Sequence, residues 1–411
     1  MLSNYFVSLI KAQLPFEPNE QQNDLLEALG RFLLSSEKRK IFLLKGYAGT
    51  GKTSVVGALV RALNKIGQKT VLLAPTGRAA KVFANYSGTP AFTIHKKIYR
   101  QKSLTDFHFQ LAENLFSDVL FIVDEASMIS NTDFDSVFGS GNLLDDLMEY
   151  VFSGRNCSLM LLGDSAQLPP VGQAESPALD VDILKQYRLN VFEFTLTHVV
   201  RQALKSGILH NASLIREKLT NKNLVRFPPF QLEKFADISR LSPAELTDEI
   251  QKEYAGAGVE DTMVITRSNY RANYYNNGIR SRVMMKEEEL SNGDLLMVTR
   301  NNYFWPKYYP EIDFIANGDI LEVLRIRKFT EMYGFRFVDA TVRSLDYDWE
   351  IDTRIWLDTL NAETPAKAQQ MNKILFEKVA EDYSEIKQKR QKVKKIYENE
   401  FFNALQVKFA Y

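Results

Sequence analysis

The segment with the clearest chemical signature is a glycine-rich loop near the N-terminus. Residues 46–53 match the phosphate-binding pattern G-x-x-x-x-G-K-[ST] in full. Glycines let backbone N–H groups approach a polyphosphate closely, and the start of the following helix favours the same anion. We predict that Lys52 contacts the β- and γ-phosphates of a nucleoside triphosphate and that the Thr53 hydroxyl binds Mg²⁺. The residues expected to bind the nucleotide in this loop are Gly46, Ala48, Gly49, Thr50, Gly51, Lys52, Thr53 and Ser54.

Two carboxylates follow a later apolar run at the spacing that such a loop requires. Asp124 and Glu125 come directly after the run 121–123. An Asp-Glu pair after an apolar run is common, but its position downstream of a complete phosphate loop makes it informative. We expect Asp124 to bind Mg²⁺ through water and Glu125 to orient or deprotonate the water that attacks the γ-phosphate.

A third apolar run leads into a polar cluster that contains Gln167. The amide of Gln167 can contact the γ-phosphate or the attacking water, or it can stabilise the local turn. The carboxyl edge of a parallel sheet is where ligands bind in such folds, which favours the phosphate contact.

The elements that must position these residues alternate along the first 200 residues. Apolar runs separated by helical patterns predict an α/β fold with a parallel sheet. The runs read as strands are 41–44, 70–74, 119–123, 157–162 and 191–196. A polar, irregular stretch at about 97–118 interrupts the alternation and predicts a small insertion.

The second half of the chain changes character twice. A strand at 263–266 and a helical run at 270–285 precede a β-rich stretch, 291–355, which predicts a small antiparallel barrel or sheet. Thr364-Pro365 then opens a long helix predicted to reach about residue 400. Its basic run, 387–395, is either a solvated helix face or a phosphate-contacting surface.

Composition limits the function classes. The chain has 411 residues, enough for about two to four domains. Its 51 basic and 51 acidic residues argue against retention on nucleic acid mainly by bulk charge, although a local basic groove remains compatible. A single cysteine, Cys157, excludes an internal disulfide, and with four histidines it excludes a metal cluster apart from nucleotide-bound Mg²⁺. The N-terminus lacks a signal-peptide pattern, and no apolar run approaches about 18 residues, so we expect a cytosolic protein without a membrane anchor.

The order of the motifs resembles that of superfamily-one DNA helicases of the RecD/Dda type. The segments that match are 74–80 (motif Ia), 93–95 (Ib), 123–128 (II), 163–170 (III) and 196–202 (IV). Residues 16–22 are similar to the adenine-reading glutamine motif of the family, and the spacing to Leu25 and Leu26 favours Gln22 over Gln21 as that glutamine. The resemblance is dense over 16–203 and looser over 260–320.

The resemblance implies a domain organisation. A first P-loop (RecA-like) lobe would span 1–199, with a pin-type insertion at about 97–118. A second, incomplete RecA-like lobe would combine 200–290 with 396–411. Between those two segments, 291–395 would form a small β-rich, SH3-like insertion followed by the long helix.

The resemblance also implies contacts with DNA and with the γ-phosphate. Pro75, Thr76, Thr93 and His95 would contact the backbone of single-stranded DNA, because short polar groups suit contacts without sequence information. Taken alone, His95 would more often be a packed histidine, and its place in the sequence Thr93-Ile94-His95 favours the DNA contact. Arg201 would reach the γ-phosphate from the cleft between the lobes, and its alternative is a surface ion pair.

The insertion contains the aromatic sequence Phe107-His108-Phe109. In the family the corresponding insertion carries a pin that splits the duplex, and an aromatic side chain there would stack on the last base pair. Packing of these aromatic rings onto the lobe is the alternative.

The resemblance implies an ATP- and Mg²⁺-dependent helicase that moves 5′ to 3′ on single-stranded DNA and acts at duplex junctions as a monomer. Repair or recombination, with repair-complex proteins as partners, is the expected context. Motifs V and VI of the family are not found before Tyr411, which suggests a truncated chain with weak or absent ATP turnover. The alternative is an ATP-gated DNA-binding module or a subunit of a larger complex. A nuclease finds little support, since no further cluster of metal-binding carboxylates is recognisable.

Overall fold

The apolar runs of the first half of the chain form a parallel sheet. The computed structural model describes residues 2–47, 49–101, 109–131, 139–170, 172–198, 206–220, 229–309, 312, 314–362 and 365–411. The chain divides into two units, Met1–Arg240 and Leu241–Tyr411.

The first unit alternates helices and strands. Its helices are α1 Leu2–Lys11, α2 Glu20–Leu34, α3 Lys52–Lys65, α4 Gly77–Ser87, α5 Ile94–Ile98, α6 Leu143–Ser153, α7 Val181–Gln186 and α8 Gly207–Thr220. Its strands are β1 Lys40–Gly46, β2 Thr70–Ala74, β3 Ala91–Thr93, β4 Tyr99–Gln101, β5 Phe109–Leu111, β6 Leu120–Val123, β7 Ser158–Gly163 and β8 Asn190–Leu196.

The strand order of the sheet brings three strand ends together. Its order is β3-β2-β6-β7-β1-β8, and neighbouring strands are parallel. β7 pairs with β1 on one side and with β6 on the other, with Leu161 opposite Leu43 and Val123. The five predicted strands are confirmed as β1, β2, β6, β7 and β8. The three-residue strand β3 was not predicted, because so short a segment carries no apolar periodicity.

The central strands are buried on both of their faces. In β1 the side chains of 41–44 are fully buried, which explains a continuous apolar run rather than an alternating one. Phe42 packs edge-to-face against Phe32 of α2, with ring centroids 5.3 Å apart. The core of this unit therefore lies between the phosphate-loop strand and the helices that flank it in sequence.

The predicted insertion forms an antiparallel pair of short strands. β4 and β5 pair with Tyr99 opposite Leu111 and Gln101 opposite Phe109. Phe109 is buried, so its ring packs within the unit. Phe107 and His108 lie outside the described residues.

The second unit is built around a closed barrel. Its helices are α9 Leu246–Gly256, α10 Asn269–Arg282, α11 Pro365–Asp382 and α12 Lys389–Tyr397, and its strands are β9 Leu295–Val298, β10 Ile320–Met332, β11 Phe335–Ser344, β12 Glu350–Trp356 and β13 Leu405–Phe409. The barrel closes in the order β10-β11-β12-β13-β9. Tyr333 and Gly334 both have positive φ, the geometry of a tight hairpin turn that suits the strand twist.

The structure differs from the predicted second lobe in two respects. The C-terminal segment 396–411, assigned to that lobe, contains β13, which closes the barrel by pairing with β9 and β12. Residues 263–266 form no strand. The described part of the second unit thus contains the barrel and its helices without a separate parallel sheet.

The structure also differs from the predicted domain boundary and from the predicted extent of the long helix. The first unit continues to Arg240 rather than to 199, because α8 is held there by the later segment. Ser206 and the Gly207 N–H donate to the Asp237 carboxylate at 2.6 and 2.7 Å. The predicted long helix is interrupted between α11 and α12, and the basic run falls mostly on α12, where most of its side chains are exposed.

Within the residues that the structure describes, no helix has the length and apolar composition needed to cross a lipid bilayer.

Candidate active site

The phosphate loop joins the end of β1 to the start of α3. Gly49 and Gly51 have φ values of 77° and 84°, in the left-handed region that glycine adopts without steric cost. A Cβ added to Gly51 would lie 2.6 Å from the Gln22 side-chain nitrogen. A Cβ added to Gly46 would lie 3.0 Å from that of Leu196. The glycines are therefore required by backbone conformation and by close packing.

Lys52 begins α3 and folds back over the loop. Its Nζ donates to the backbone carbonyl oxygens of Gly46 and Tyr47, the latter at 3.2 Å. Burial lowers the pKa of Lys52, and three nearby carboxylates oppose that shift. Those carboxylates belong to Asp164, Asp124 and Glu125. The predicted triphosphate lysine therefore lies in the same site as the predicted acidic residues.

Among the remaining loop residues, one side chain stabilises the loop and two others are accessible to solvent. Thr50 is fully buried, and its hydroxyl donates to the Tyr47 carbonyl oxygen at 2.7 Å, which shapes the loop. Thr53 is exposed and Ser54 half-buried in the first turn of α3. Ala48 lies outside the described residues.

Asp124 follows β6 directly, and both of its carboxylate oxygens accept hydrogen bonds. The Tyr86 hydroxyl donates to Oδ2, and the Glu125 N–H donates to Oδ1 at 2.9 Å. Burial, and secondarily the charge of Asp124, raises the pKa of Tyr86, so the phenol remains protonated and acts as a donor. Tyr86 was not predicted as a site residue, because nothing local marks a tyrosine 38 residues before its partner.

Glu125 has an unusual backbone conformation and a shifted side-chain pKa. Its φ of 53° is rare for a residue with a side chain and typical of strained functional positions. Burial and the charge of Asp124 raise the pKa of Glu125, while Lys52 and a hydrogen bond with Gln167 act in the opposite direction. A raised pKa makes this carboxylate a stronger base than an ordinary glutamate.

Asp164 and Gln167 follow the end of β7 and lie in the same site. The Ser127 hydroxyl donates to Gln167 Oε1 at 3.0 Å and fixes the amide next to Glu125. Asp164 is buried, and its Oδ1 accepts the Ala166 N–H at 2.8 Å. The sequence placed Asp164 in motif III without a role, and the structure adds it to the charges around Lys52.

Gln22 lies beneath the phosphate loop. It is 1% exposed and belongs to the capping box of α2, in which Oε1 accepts the Asn19 N–H at 3.1 Å. Its Nε2 donates to the Thr50 carbonyl oxygen at 3.0 Å. Both ends of the amide are thus used within the protein, and the adenine contact expected of Gln22 stays a prediction.

Gln21 makes a separate set of contacts at the end of β8. Its Oε1 accepts the N–H groups of Thr197 and His198, each at 2.9 Å, and its Nε2 donates to the Thr195 carbonyl oxygen at 3.2 Å. Gln21 therefore ties the start of α2 to the first residues of motif IV. Arg201, the predicted γ-phosphate arginine of that motif, lies outside the described residues.

The residues predicted to contact DNA lie at the end of β3 or just beyond the ends of β2 and β3. Thr76 and Thr93 cap α4 and α5, and each hydroxyl accepts a backbone N–H at 3.2 Å. Thr93 is buried, whereas Thr76 is exposed and Pro75 half-buried. The half-buried His95 ring lies 5.7 Å from that of Tyr99. The pairing of β2 with β3 brings these residues to one edge of the sheet, and DNA contact by them stays a prediction.

Arg216 of α8 is a further group at the phosphate loop that the sequence did not reveal. Its guanidinium carbon lies 3.9 Å from the centre of the Tyr47 ring, a cation–π arrangement. Its positive charge contributes to lowering the pKa of Lys52. No motif contains Arg216, so only its position in the folded unit identifies it.

The donor set fits Mg²⁺ bound together with a nucleotide. The described residues contain no group of three or more His, Cys, Asp or Glu side chains that could hold a metal ion. Mg²⁺ commonly binds through one or two protein groups plus substrate phosphates, and a threonine hydroxyl and an aspartate are suitable oxygen donors. Thr53 and Asp124 would supply them.

A parallel sheet, a phosphate loop between its strand and helix, and acidic residues at the adjoining strand ends define a P-loop nucleotide-binding lobe of the RecA-like type. Residues 17–226 match the family described as "AAA domain", which is just over half of the chain. The chain belongs to this family.

Helicases are among its sequence relatives. The chain is 26% identical over 298 residues to the ATP-dependent RecD2 DNA helicase of Deinococcus radiodurans, covering 70% of this chain and 37% of the relative. It is 30% identical over 149 residues to the ATP-dependent DNA helicase dda of Enterobacteria phage T4, covering 34% of this chain and 31% of the relative. The RecD/Dda resemblance of the motifs is thereby confirmed, and the chain spans less than two thirds of the length of either protein.

A crystal structure of Pif1 helicase from Bacteroides in complex with ADP-AlF3 and ssDNA is similar at a TM-score of 0.37 and 16% identity. The match covers 82% of this chain and 74% of that one, a likeness too remote to bear on function.

Proposed function

We propose that this protein is a superfamily-one DNA helicase that hydrolyses ATP with Mg²⁺ and uses the cycle to move along single-stranded DNA. The observation that carries the proposal is the convergence of Lys52 with Asp124, Glu125 and Asp164 at the ends of the adjacent strands β1, β6 and β7. The motif resemblance extends the proposal to 5′-to-3′ movement, to unwinding at duplex junctions and to a role in repair or recombination.

The proposed hydrolysis assigns a task to each side chain. Glu125 takes a proton from the water whose oxygen attacks the γ-phosphorus, and Gln167 orients that water and the carboxylate. Lys52 pairs with the β- and γ-phosphate oxygens, and the loop N–H groups stabilise the charge that develops as the bond to ADP breaks. Bound Mg²⁺, held by Thr53 and Asp124, supplies neutralisation of the phosphate charge.

Two further residues complete the proposal. Arg201 would stabilise transition-state charge on the γ-phosphate. Arg216, held over Tyr47, adds positive charge close to the same loop.

The helix N-terminus capped by Thr76 would face a DNA phosphate, since such termini favour anions.

The test is ATP hydrolysis by the chain with and without single-stranded DNA, together with separation of duplexes that carry a 5′ or a 3′ single-stranded tail. We expect DNA to stimulate hydrolysis and Lys52→Ala to abolish it. Lys65→Ala, at the exposed far end of the same helix, serves as the control and should retain wild-type rates.

Absence of hydrolysis by the wild-type chain in the presence of DNA would contradict the motor. Nucleotide-dependent DNA binding without turnover would then favour an ATP-gated DNA-binding module.

A further inference from the structure

The hydroxyl of Tyr86 contacts the carboxylate proposed to bind Mg²⁺. It donates to Asp124 Oδ2, while the Glu125 N–H holds Oδ1 at 2.9 Å. The two bonds fix both oxygens of the carboxylate. Removing a group that orients a metal ligand in this way commonly weakens metal binding by about 10-fold to 100-fold.

The backbone of Tyr86 is held against α3. Its carbonyl oxygen accepts a hydrogen bond from Arg61 Nη1 at 2.7 Å. A Cβ added to Gly57 would lie 2.8 Å from the same oxygen, so only glycine permits this approach. Thr53, Gly57 and Arg61 are spaced by four residues and therefore share one face of α3. Tyr86 thus lies on the helix face that also carries the Mg²⁺-binding threonine.

The other end of α4 lies at the proposed DNA contact. The helix spans Gly77–Ser87 and is capped by the exposed Thr76, with Tyr86 in its last turn. Rigid secondary elements are among the structures that carry coupling between sites, and α4 runs from its cap to Tyr86 without a break. One element therefore joins the predicted DNA-contacting residues to the carboxylate of the metal site.

We propose that Tyr86 is a positioning residue that ties Asp124 to α4 and thereby couples single-stranded DNA at the start of α4 to binding of the Mg²⁺-nucleotide. This inference rests on the proposed function. DNA stabilises one position of α4, Tyr86 then holds Asp124 in the orientation that binds Mg²⁺, and the nucleotide in turn favours DNA binding. The coupling is reciprocal because each ligand stabilises the same arrangement.

The substitution Tyr86→Phe tests the contribution of the hydroxyl while the packing of the ring is retained. The substitution keeps the stacking on Phe83, whose ring centroid lies 5.1 Å away, and removes only the donor to Asp124. Tyr187→Phe is the matched control. The Tyr187 hydroxyl likewise donates to an aspartate, Asp145, at a position with no role in the site. Melting temperatures equal to that of the wild-type chain establish that both variants are folded.

The experiment measures binding of a fluorescent ATP analogue to the full chain during titration with MgCl₂, with and without an oligo-dT strand. For the wild type, we expect the oligonucleotide to lower the Mg²⁺ concentration at half-saturation. Tyr86→Phe should raise that concentration roughly tenfold or more and should abolish the response to the oligonucleotide. Its affinity for the nucleotide in EDTA should equal that of the wild type, which a general structural defect would not preserve.

The outcomes separate the inference from the function on which it rests. A wild-type chain that binds no nucleotide contradicts the proposed function. A wild-type chain that binds the Mg²⁺-nucleotide, beside a Tyr86→Phe variant with unchanged Mg²⁺ dependence, overturns the inference alone. A raised Mg²⁺ requirement with an intact response to the oligonucleotide overturns the coupling.

Discussion

The side-chain amide of Gln22 donates a hydrogen bond from Nε2 to the backbone carbonyl oxygen of Thr50 at 3.0 Å. This bond stabilises the phosphate loop, because Gln22 is buried and is itself held in the capping box of α2. The loop conformation therefore depends on a helix that precedes it in sequence.

Gln22→Ala should weaken binding of both ATP and GTP and lower the free energy of unfolding by about 1–3 kcal/mol. The physical reason is that the variant leaves the buried Thr50 carbonyl oxygen without its donor. Nucleotide competition and urea denaturation measure the two effects. Asn19→Ala is the control, because it breaks the same capping box without touching the loop. A loss confined to ATP would instead support adenine recognition by Gln22.

Glu125→Gln should reduce ATP turnover by about 100-fold or more while retaining nucleotide affinity, since the amide cannot accept the proton from water. Single-turnover hydrolysis and equilibrium binding separate the two quantities. Glu149→Gln, on the exposed side of α6, should leave both unchanged. Wild-type turnover in Glu125→Gln would exclude Glu125 as the base.

Gln167→Ala should move the acid limb of the pH profile of kcat/KM to higher pH. Glu125 acts as a base only when deprotonated, and burial raises its pKa, so activity should rise with pH through that elevated value. The Gln167 hydrogen bond stabilises the ionised form, and its removal raises the pKa further. An acid limb that shifts to lower pH in the variant would contradict this arrangement.

Arg216→Ala should weaken triphosphate binding roughly threefold to tenfold, because it removes a positive charge and the cation–π contact with Tyr47. Tyr47→Phe should retain affinity and Tyr47→Leu should lose it, since only the first keeps an aromatic ring. Equilibrium binding of ATP checks all three variants. Lys218→Ala, an exposed cation on the same helix, is the matched control, and an equal loss there would point to a nonspecific charge effect.

Asp294→Asn should destabilise the second unit by about 3–5 kcal/mol. The fully buried Asp294 accepts from Arg280 Nη2 and Lys286 Nζ, each at 2.9 Å, and the variant would leave those cations unpaired. Denaturant unfolding followed by a probe in the barrel measures the loss. Asp352→Asn breaks a half-exposed pair with Arg327 in the same unit and should cost much less, because solvent screens that pair.

The same carboxylate predicts a pH dependence of stability. Burial alone would raise the pKa of Asp294, but hydrogen bonds from Arg280, Tyr411 and Lys286 outweigh it and lower the pKa. A lowered pKa in the folded state gives stability that is present above the unfolded value of about 4 and is lost as the pH falls through the folded value. Acid titration of unfolding should show this loss in the wild type and not in Asp294→Asn.

Local patterns were sufficient for much of the fold. The continuous apolar run of β1 predicted a strand because both faces of that strand are buried. The β-rich composition of 291–355 predicted a small antiparallel barrel or sheet, and four of the five barrel strands fall within or next to that range. By contrast, the sequence placed 405–409 in the second lobe, whereas this strand closes the barrel, because periodicity identifies a strand but not its partners.

For the site, the sequence by itself determined the phosphate loop, the residue types that surround it and the strand that delivers each carboxylate. Those features depend on neighbouring residues and on glycine conformations that the chain encodes locally. Only the tertiary structure decided which groups meet. The strand order places Asp124 and Asp164 beside Lys52, and helix packing brings Tyr86 to Asp124 and Arg216 to Tyr47. Such contacts join residues far apart in sequence, and the burial and charge that set their pKa values exist only once the chain has folded.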